Sequence, residues 1–403
     1  MATKPADRRL TFAVAAGAAV ASAAASIPDA RHFYFWADEF ASAKVIVQPT
    51  LSLMLGQIVR RESTPPAWYL LAWLIHHAGV TVTGLRFLSV ICGAALAGLS
   101  VIYARRFVSL LGAALVGIIV AFGGEFLRHN WELRAYAMFA LLCLVFAMTL
   151  EWAASSPSKR RLAALAVVVA LGSTTHYFFL FTLFAGLAWL WLTREFRSVR
   201  RRVTVASALG LIPLIVWSPW FAHQTKADHT RKLGAFALSK IWHAYARLLA
   251  TGLPKHTWLV VVSVAIDILV VLGVILLLRR GGRARLCALL GIAPLVCAAI
   301  LSYANFHILD YRNLIGGAPF LAIALVAVLD SIPRRAFARA ALVAVFVLAV
   351  YAFAVARRGP ARRTPAKSPI PTALSPSWRL QDPLREDGSA PAKGTHQREW
   401  QPR

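Results

Sequence analysis

The sequence predicts an all-α, polytopic membrane protein with about eleven spanning helices, and three observations lead there. Of 403 residues, 59% are hydrophobic and only 15% charged. The apolar residues fall into repeated runs close to the roughly 20 residues that cross a hydrocarbon core as a helix. The basic residues gather in short clusters between those runs, as they do where they fix membrane orientation. Residues 1–356 therefore read as one membrane domain with no room for a large soluble one. Residues 357–403 are rich in Pro, Arg, Lys, Ser and Gln and are expected to be disordered.

Spans are expected near 10–27, 87–103, 108–124, 136–153, 161–176, 177–193, 203–222, 258–278, 286–303, 313–330 and 336–356. Six basic clusters separate them: Arg8-Arg9, Arg105-Arg106, Lys159 to Arg161, Arg194 to Arg202, Arg279 to Arg285, and Arg334 to Arg339. All six fall on the cytoplasmic side if the apolar stretch 66–80 does not cross. That stretch is short, follows Pro65-Pro66 and contains His76-His77, so it reads as a helix lying along the outer interface. Residues 1–27 also fit a signal peptide, with Arg8-Arg9 before an alanine-rich run. A retained first helix is expected instead, because cleavage would remove the element that anchors the loop after it.

Composition also excludes some partners. The formal charge of +27 resides largely in the topology-setting clusters, so nucleic acid is not expected. Cys92, Cys143, Cys287 and Cys297 lie in apolar segments without CxxC spacing, which gives neither a disulfide framework nor a thiolate metal site.

With this orientation the outer loops collect Asp38, Glu39, Glu62, Glu125, Glu132, Asp228 and Asp310 together with Arg86, Arg128, Arg134, Arg231 and Arg312. Only 17 carboxylates occur in the whole chain, so their gathering on one side is informative. Carboxylates and arginines in short, aromatic-rich outer loops suit a phosphate-bearing amphiphile. If residues 125–132 are helical, Glu125, Arg128 and Glu132 share one face, and Glu132 aligns with Tyr136. Trp217, Trp220, Trp242 and Trp258 read as headgroup-level belt residues.

The segments WADEF (36–40), TPPAWYLLAWL (64–74), GLRFLSVICGAALAGLSVIYARRF (84–107) and NWELRAYAMFALL (130–142) resemble, in order and spacing, the N-terminal half of the GT-C membrane glycosyltransferases. The likeness is to the family 39 type, which includes protein O-mannosyltransferases and the aminoarabinose transferase of lipid A. HYFFLFTLFAGLAW (176–189) and YRNLIGGAPFLAIALVA (311–327) are similar to two further stretches of that family, so the resemblance covers roughly residues 10–330. One departure is Thr64, where the family often has His or Lys before the Pro-Pro pair; Arg60 and Arg61 are the nearby cations that could substitute.

The resemblance implies transfer of a hexosyl or pentosyl group from a polyprenyl phosphate to a hydroxyl of a glycan, lipid or protein, in the outer leaflet and with inversion. Matching the family's Asp-Glu pair, it makes Asp38 the general base and gives Glu39 an acceptor-positioning or pKa-separating role. Arg86, in the family's LR-F stretch, becomes the cation for the donor phosphate, followed by Arg134 and by Arg312 of the YRN motif. Glu132, Arg134 and Tyr136 reproduce an E-x-R-x-Y pattern, and His176 is a donor-site hydrogen-bonding candidate. Two acids near a phosphate also suit Mg²⁺ or Mn²⁺, which leaves metal dependence open. The competing class is a transporter or flippase of lipid-linked glycans. Against it, the halves show no internal repeat, no matching pair of Gly/Pro-broken helices is visible, and the Asp-Glu pair lies in a loop.

Overall fold

The structure is a computed structural model that describes residues 5–31, 35–226, 257–304, 306 and 308–332, and every regular element among them is helical. In chain order these are α1 (Pro5–Ala30), α2 (Ala37–Ile46), α3 (Leu51–Arg61), α4 (Ala67–His77), α5 (Arg86–Ala104), α6 (Leu110–Phe122), α7 (Gly124–His129) and α8 (Tyr136–Ser155). They are followed by α9 (Lys159–Thr175), α10 (Phe179–Leu192), α11 (Arg200–Gly210), α12 (Ile212–Lys226), α13 (Thr257–Arg280), α14 (Gly282–Tyr303) and α15 (Ala318–Asp330). The chain is a multi-pass membrane protein. Helices α1, α5, α8 and α14 are long and apolar enough to cross, and α6, α10 and α15 are shorter apolar helices.

Local chemistry sets several boundaries. Ser109 and Ser158 accept hydrogen bonds from Gly112 N and Arg161 N and so cap α6 and α9. Gly281 and Gly282, at φ 70° and 49°, supply the turn between α13 and α14. The expected span 203–222 is broken into α11 and α12, bent by 46° at Leu211. Pro213 explains the break, since it has no N–H to donate to the Leu209 carbonyl four residues back and its ring crowds that carbonyl.

Small residues let the long helices approach closely. Gly98 of α5 faces the Ala15 carbonyl of α1, Gly117 of α6 faces Ala18, and Gly273 of α13 lies directly on the Ala324 carbonyl of α15. Where lipid offers no hydrophobic drive between helices, such close backbone contact supplies the packing.

The basic clusters do gather at one end of the bundle. Arg105 pairs with Asp7 at 2.9 Å, Glu151 takes Arg106 and, at 3.6 Å, Arg283, and Trp189 donates to the Gly282 carbonyl at 2.8 Å. Arg161 donates to the Trp152 carbonyl at 3.1 Å. The sixth cluster, the span 336–356, the tail 357–403, and Asp228, Arg231 and Trp242 lie outside the described residues, as does the side chain of Trp258.

At the opposite end, α2, α3 and α4 form a small layer with its own core, in which Ile46, Met54, Ile58, Trp68 and Tyr69 pack with Leu133 and Trp217. None of the three, at 10 or 11 residues, is long enough to cross. The stretch 66–80 is thus the short α4 followed by a turn, as its length implies. Helices α2, α3 and α7 are not among the expected elements, although α3 carries a clear helical pattern that buries Met54 and Ile58. Trp217 is buried and donates to the Tyr177 hydroxyl at 2.9 Å, which corrects its reading as a belt residue.

Candidate active site

Trp36 precedes α2, which places Asp38 and Glu39 in its first turn, where the positive end of the helix favours carboxylates. Successive helical side chains diverge by about 100°, so the two acids point to different surroundings.

Glu39 turns inward. Its two oxygens accept from Arg86 Nε at 2.8 Å and Nη2 at 2.6 Å, and Oε1 also takes the Leu133 amide at 2.8 Å. Both side chains are 0% exposed. The Arg86 guanidinium lies over the Phe35 ring at 4.5 Å and near the Trp131 ring at 5.5 Å. Arg86 therefore stands at the expected start of α5, with its fork occupied by Glu39.

Asp38 turns outward and is 38% exposed, whereas Glu39, Glu62, Glu125 and Glu132 are buried. Its Oδ2 accepts from Arg312 Nη1 at 2.8 Å. Arg312 sits on the 3₁₀ turn Tyr311–Leu314, which Asp310 caps by accepting from the Arg312 amide at 3.1 Å. The Arg312 guanidinium lies 5.3 Å from the Trp36 ring.

Arg134 is the hub beneath them. Its Nη1 donates to Glu62 at 3.0 Å, to Ser42 Oγ at 2.9 Å, to Tyr69 Oη at 3.3 Å and to the Asp38 carbonyl at 3.4 Å. It is 11% exposed and joins the α2–α4 layer to the turn before α8. Tyr136 opens α8 with its ring 5.9 Å from the Arg134 guanidinium, 4.5 Å from His129 and 5.9 Å from His176. His176 ends α9 and stacks on Phe139 at 4.5 Å.

Glu132 lies in the turn after α7, not on the helix itself. Arg128 Nε donates to its Oε1 at 2.8 Å, and His129 Nδ1 lies 2.8 Å from its Oε2. The other His129 nitrogen is 3.3 Å from Glu125 Oε2. Burial disfavours the His129 imidazolium, yet the Glu132 and Glu125 carboxylates outweigh it and hold the pKa above its ordinary value. Burial likewise works against the Glu132 carboxylate, and His129 with Arg128 overcomes it, so that pKa is lowered. His129 escaped sequence reasoning. Its spacing, four after Glu125 and three before Glu132, was the available signal.

The structure therefore brings Asp38, Glu39, Arg86, Glu132, Arg134, Tyr136, His176 and Arg312 into one connected neighbourhood. The cations near Thr64 do not join it in the same way: Arg60 and Arg61 are exposed, Arg61 donating to Gln57 at 2.7 Å. Among the described residues no three His, Cys, Asp or Glu side chains are grouped to hold a metal. Asp38 and Glu39 do not converge on one cation, because the Glu39 oxygens are taken by Arg86 and Leu133.

No family model matches the chain, and no curated protein matches it significantly. Among solved structures it is similar to ArnT from Cupriavidus metallidurans bound to undecaprenyl phosphate, with a TM-score of 0.52 and 15% identity over 79% of this chain and 60% of that one. The chain thus spans about three-fifths of the length of ArnT. The oligosaccharyltransferase AglB of Archaeoglobus fulgidus, in complex with an inhibitory peptide and a dolichol phosphate, follows at 0.47 with 12% identity, covering 86% of this chain and 55% of that one. The S. cerevisiae Pmt1-Pmt2 complex bound to the sugar donor follows at 0.37 with 17% identity, covering 64% and 38%. At those scores neither bears on the fold. The ArnT match shows that this chain shares the helical fold of ArnT, with its acids and arginines gathered at one end.

Proposed function

We propose that this protein moves a sugar from a polyprenyl-phosphate donor to a hydroxyl acceptor, with inversion, at the extracytoplasmic face of the cell membrane. The observation that carries the reading is the 2.8 Å contact of Asp38 with Arg312, a half-exposed base candidate beside a cation suited to a leaving phosphate. The likeness of fold to ArnT, itself solved with undecaprenyl phosphate, supports the donor class. The basic clusters at the opposite end support the outward orientation.

In this mechanism the donor phosphate engages Arg312 in place of Asp38, which frees the carboxylate. The acceptor oxygen then attacks the anomeric carbon while Asp38 takes its proton. The bond from that carbon to the phosphate oxygen breaks, and its electron pair leaves with the polyprenyl phosphate. Because the leaving group is already an anion, it needs cations and no general acid. Single displacement inverts the anomeric centre. Glu39 and Arg86 act as a buried brace that fixes the first turn of α2, and Arg134 ties that turn to α8.

Lipid extracts and envelope glycans of a deletion strain test the reading by mass spectrometry. A sugar-charged polyprenyl phosphate should accumulate while a glycan, glycolipid or glycoprotein loses the corresponding sugar. Unchanged extracts and unchanged glycans would overturn it.

A further inference from the structure

Two guanidinium groups converge on Trp36. Arg128, from α7, lies 5.0 Å from its ring and Arg312, from the 3₁₀ turn, lies 5.3 Å away. Arg128 also reaches Tyr311 Oη at 3.5 Å, so both arginines border the Tyr311–Arg312 turn. Both are met by carboxylates: Glu132 pairs with Arg128 at 2.8 Å, and Arg312 pairs with Asp38 at 2.8 Å and, more loosely, with Asp310 at 3.8 Å.

Those partners leave donors over. A guanidinium carries five N–H groups in a planar fork. Glu132 occupies the Nε edge of Arg128, which leaves its terminal nitrogens toward Tyr311 and Trp36. Arg312 Nε and Trp36 Nε1 are buried and have no hydrogen-bond acceptor among the described residues, Asp310 Oδ2 lying 3.8 Å from Arg312 Nε and so beyond hydrogen-bond reach. Buried N–H groups are nearly always satisfied, so two unbonded donors beside two cations suit an anionic acceptor.

Exposure separates these arginines from the others of the site. Arg128 and Arg312 are 34% and 25% exposed, whereas Arg86 is fully enclosed on Glu39. A tetrahedral phosphate suits the arrangement, since two planar forks approaching from different segments each offer paired N–H groups to separate oxygens.

We propose that Arg128, with Arg312 and the Trp36 indole N–H, forms the seat of the donor phosphate. This rests on the polyprenyl-phosphate reading above and assigns to Arg128 a role that the family resemblance does not give it. The buried chain Glu125, His129 and Glu132 acts behind it as a positioning element, holding the Arg128 fork toward Trp36.

The test uses the full-length protein in phosphatidylcholine nanodiscs, with undecaprenyl phosphate and undecaprenol as probes that share a tail and differ in the phosphate. Wild-type protein should prefer the phosphate at least tenfold. Arg128→Gln should lose most of that preference while its affinity for undecaprenol stays within twofold, and Trp36→Phe, which keeps a ring but removes the N–H, should lose part of it. If Arg128→Gln does not fold, Arg128→Lys keeps the charge beside Glu132 and should show an intermediate loss. Full phosphate preference in the folded Arg128 variants, with loss in Arg312→Gln, overturns the Arg128 assignment and leaves the donor class standing. No preference in the wild type overturns the donor reading itself. Displacement of undecaprenyl phosphate by phosphatidylglycerol added to the discs at equal amount would show a general headgroup site and also overturn the proposal.

Discussion

Asp38 and Arg312, 274 positions apart in the chain, meet through a 2.8 Å hydrogen bond between Oδ2 and Nη1. The contact ties the first turn of α2 to the turn that precedes α15, so segments near the two ends of the described chain meet.

Asp38→Asn should insert and fold as the wild type does, because Asp38 is half-exposed and packs little. Its turnover should fall by a factor of about 10² or more, as the loss of a general base does. Initial rates with a synthetic polyprenyl-phosphate sugar measure this. Near-normal turnover would remove Asp38 from the base role.

The Glu39–Arg86 pair should behave as structure. Removing either partner leaves a charge buried without compensation, at a cost of about 3–5 kcal/mol. Glu39→Gln and Arg86→Gln should each lower the unfolding temperature in detergent, and the double variant, which removes both charges, should lose much less than the two losses added together. Strict additivity would show that the pair is not coupled.

Stability should depend on pH through His129, which faces Glu125 and Glu132 on its own segment, with Arg128 beside it and the Tyr136 ring packed against it. Its folded pKa lies above the ordinary value of 6.5. The stabilisation is therefore complete below about 6.5 and is lost as pH rises through the higher folded value. Glu132 contributes in the opposite sense, being lost as pH falls through its lowered folded pKa. The thermal stability of the wild type should fall on the alkaline side above pH 6.5, and His129→Gln should flatten that limb. Parallel profiles for the two proteins would exclude His129 as the source.

Gly273→Ala should disrupt the bundle far from the site. An added Cβ would overlap the Ala324 carbonyl of α15, a backbone atom that cannot rotate away. Reduced yield and a lowered unfolding temperature should result, while Gly56→Ala, which meets nothing within 4 Å, should be tolerated. Equal stability of the two variants would contradict the close crossing.

Orientation is tested by cysteines at exposed positions in a background lacking the four native ones. Ser52→Cys on α3 should react with an impermeant thiol reagent on intact cells, and Ser156→Cys, beyond α8, only after permeabilisation. Ser42 is unsuitable because it is buried between Tyr69 and Arg134. Labelling in the reverse sense would place the carboxylates in the cytoplasm and end the polyprenyl-phosphate mechanism.

Composition and charge by themselves determined the helical membrane class, the placement of most long helices and the gathering of acids opposite the basic clusters. Lipid solvation imposes long apolar runs and charge asymmetry that a linear reading detects. Helices α2 and α7 carry little periodicity because they are short and pack on a neighbouring layer, whereas α3 shows a helical apolar pattern but is too short to stand out among spans. The break at Leu211 was written in Pro213 but hidden within an apolar run of span length. The partners of the charged residues were decided only by tertiary structure. Asp38 and Glu39 are adjacent in sequence, and the helical turn sends one to Arg312 and the other to Arg86. Likewise Arg86 carries the resemblance and Arg128 does not, yet it is Arg128 that stands open beside Trp36. Residue type announces that a charge is present; burial and distance, which depend on contacts across hundreds of residues, decide whether it braces the fold or faces a ligand.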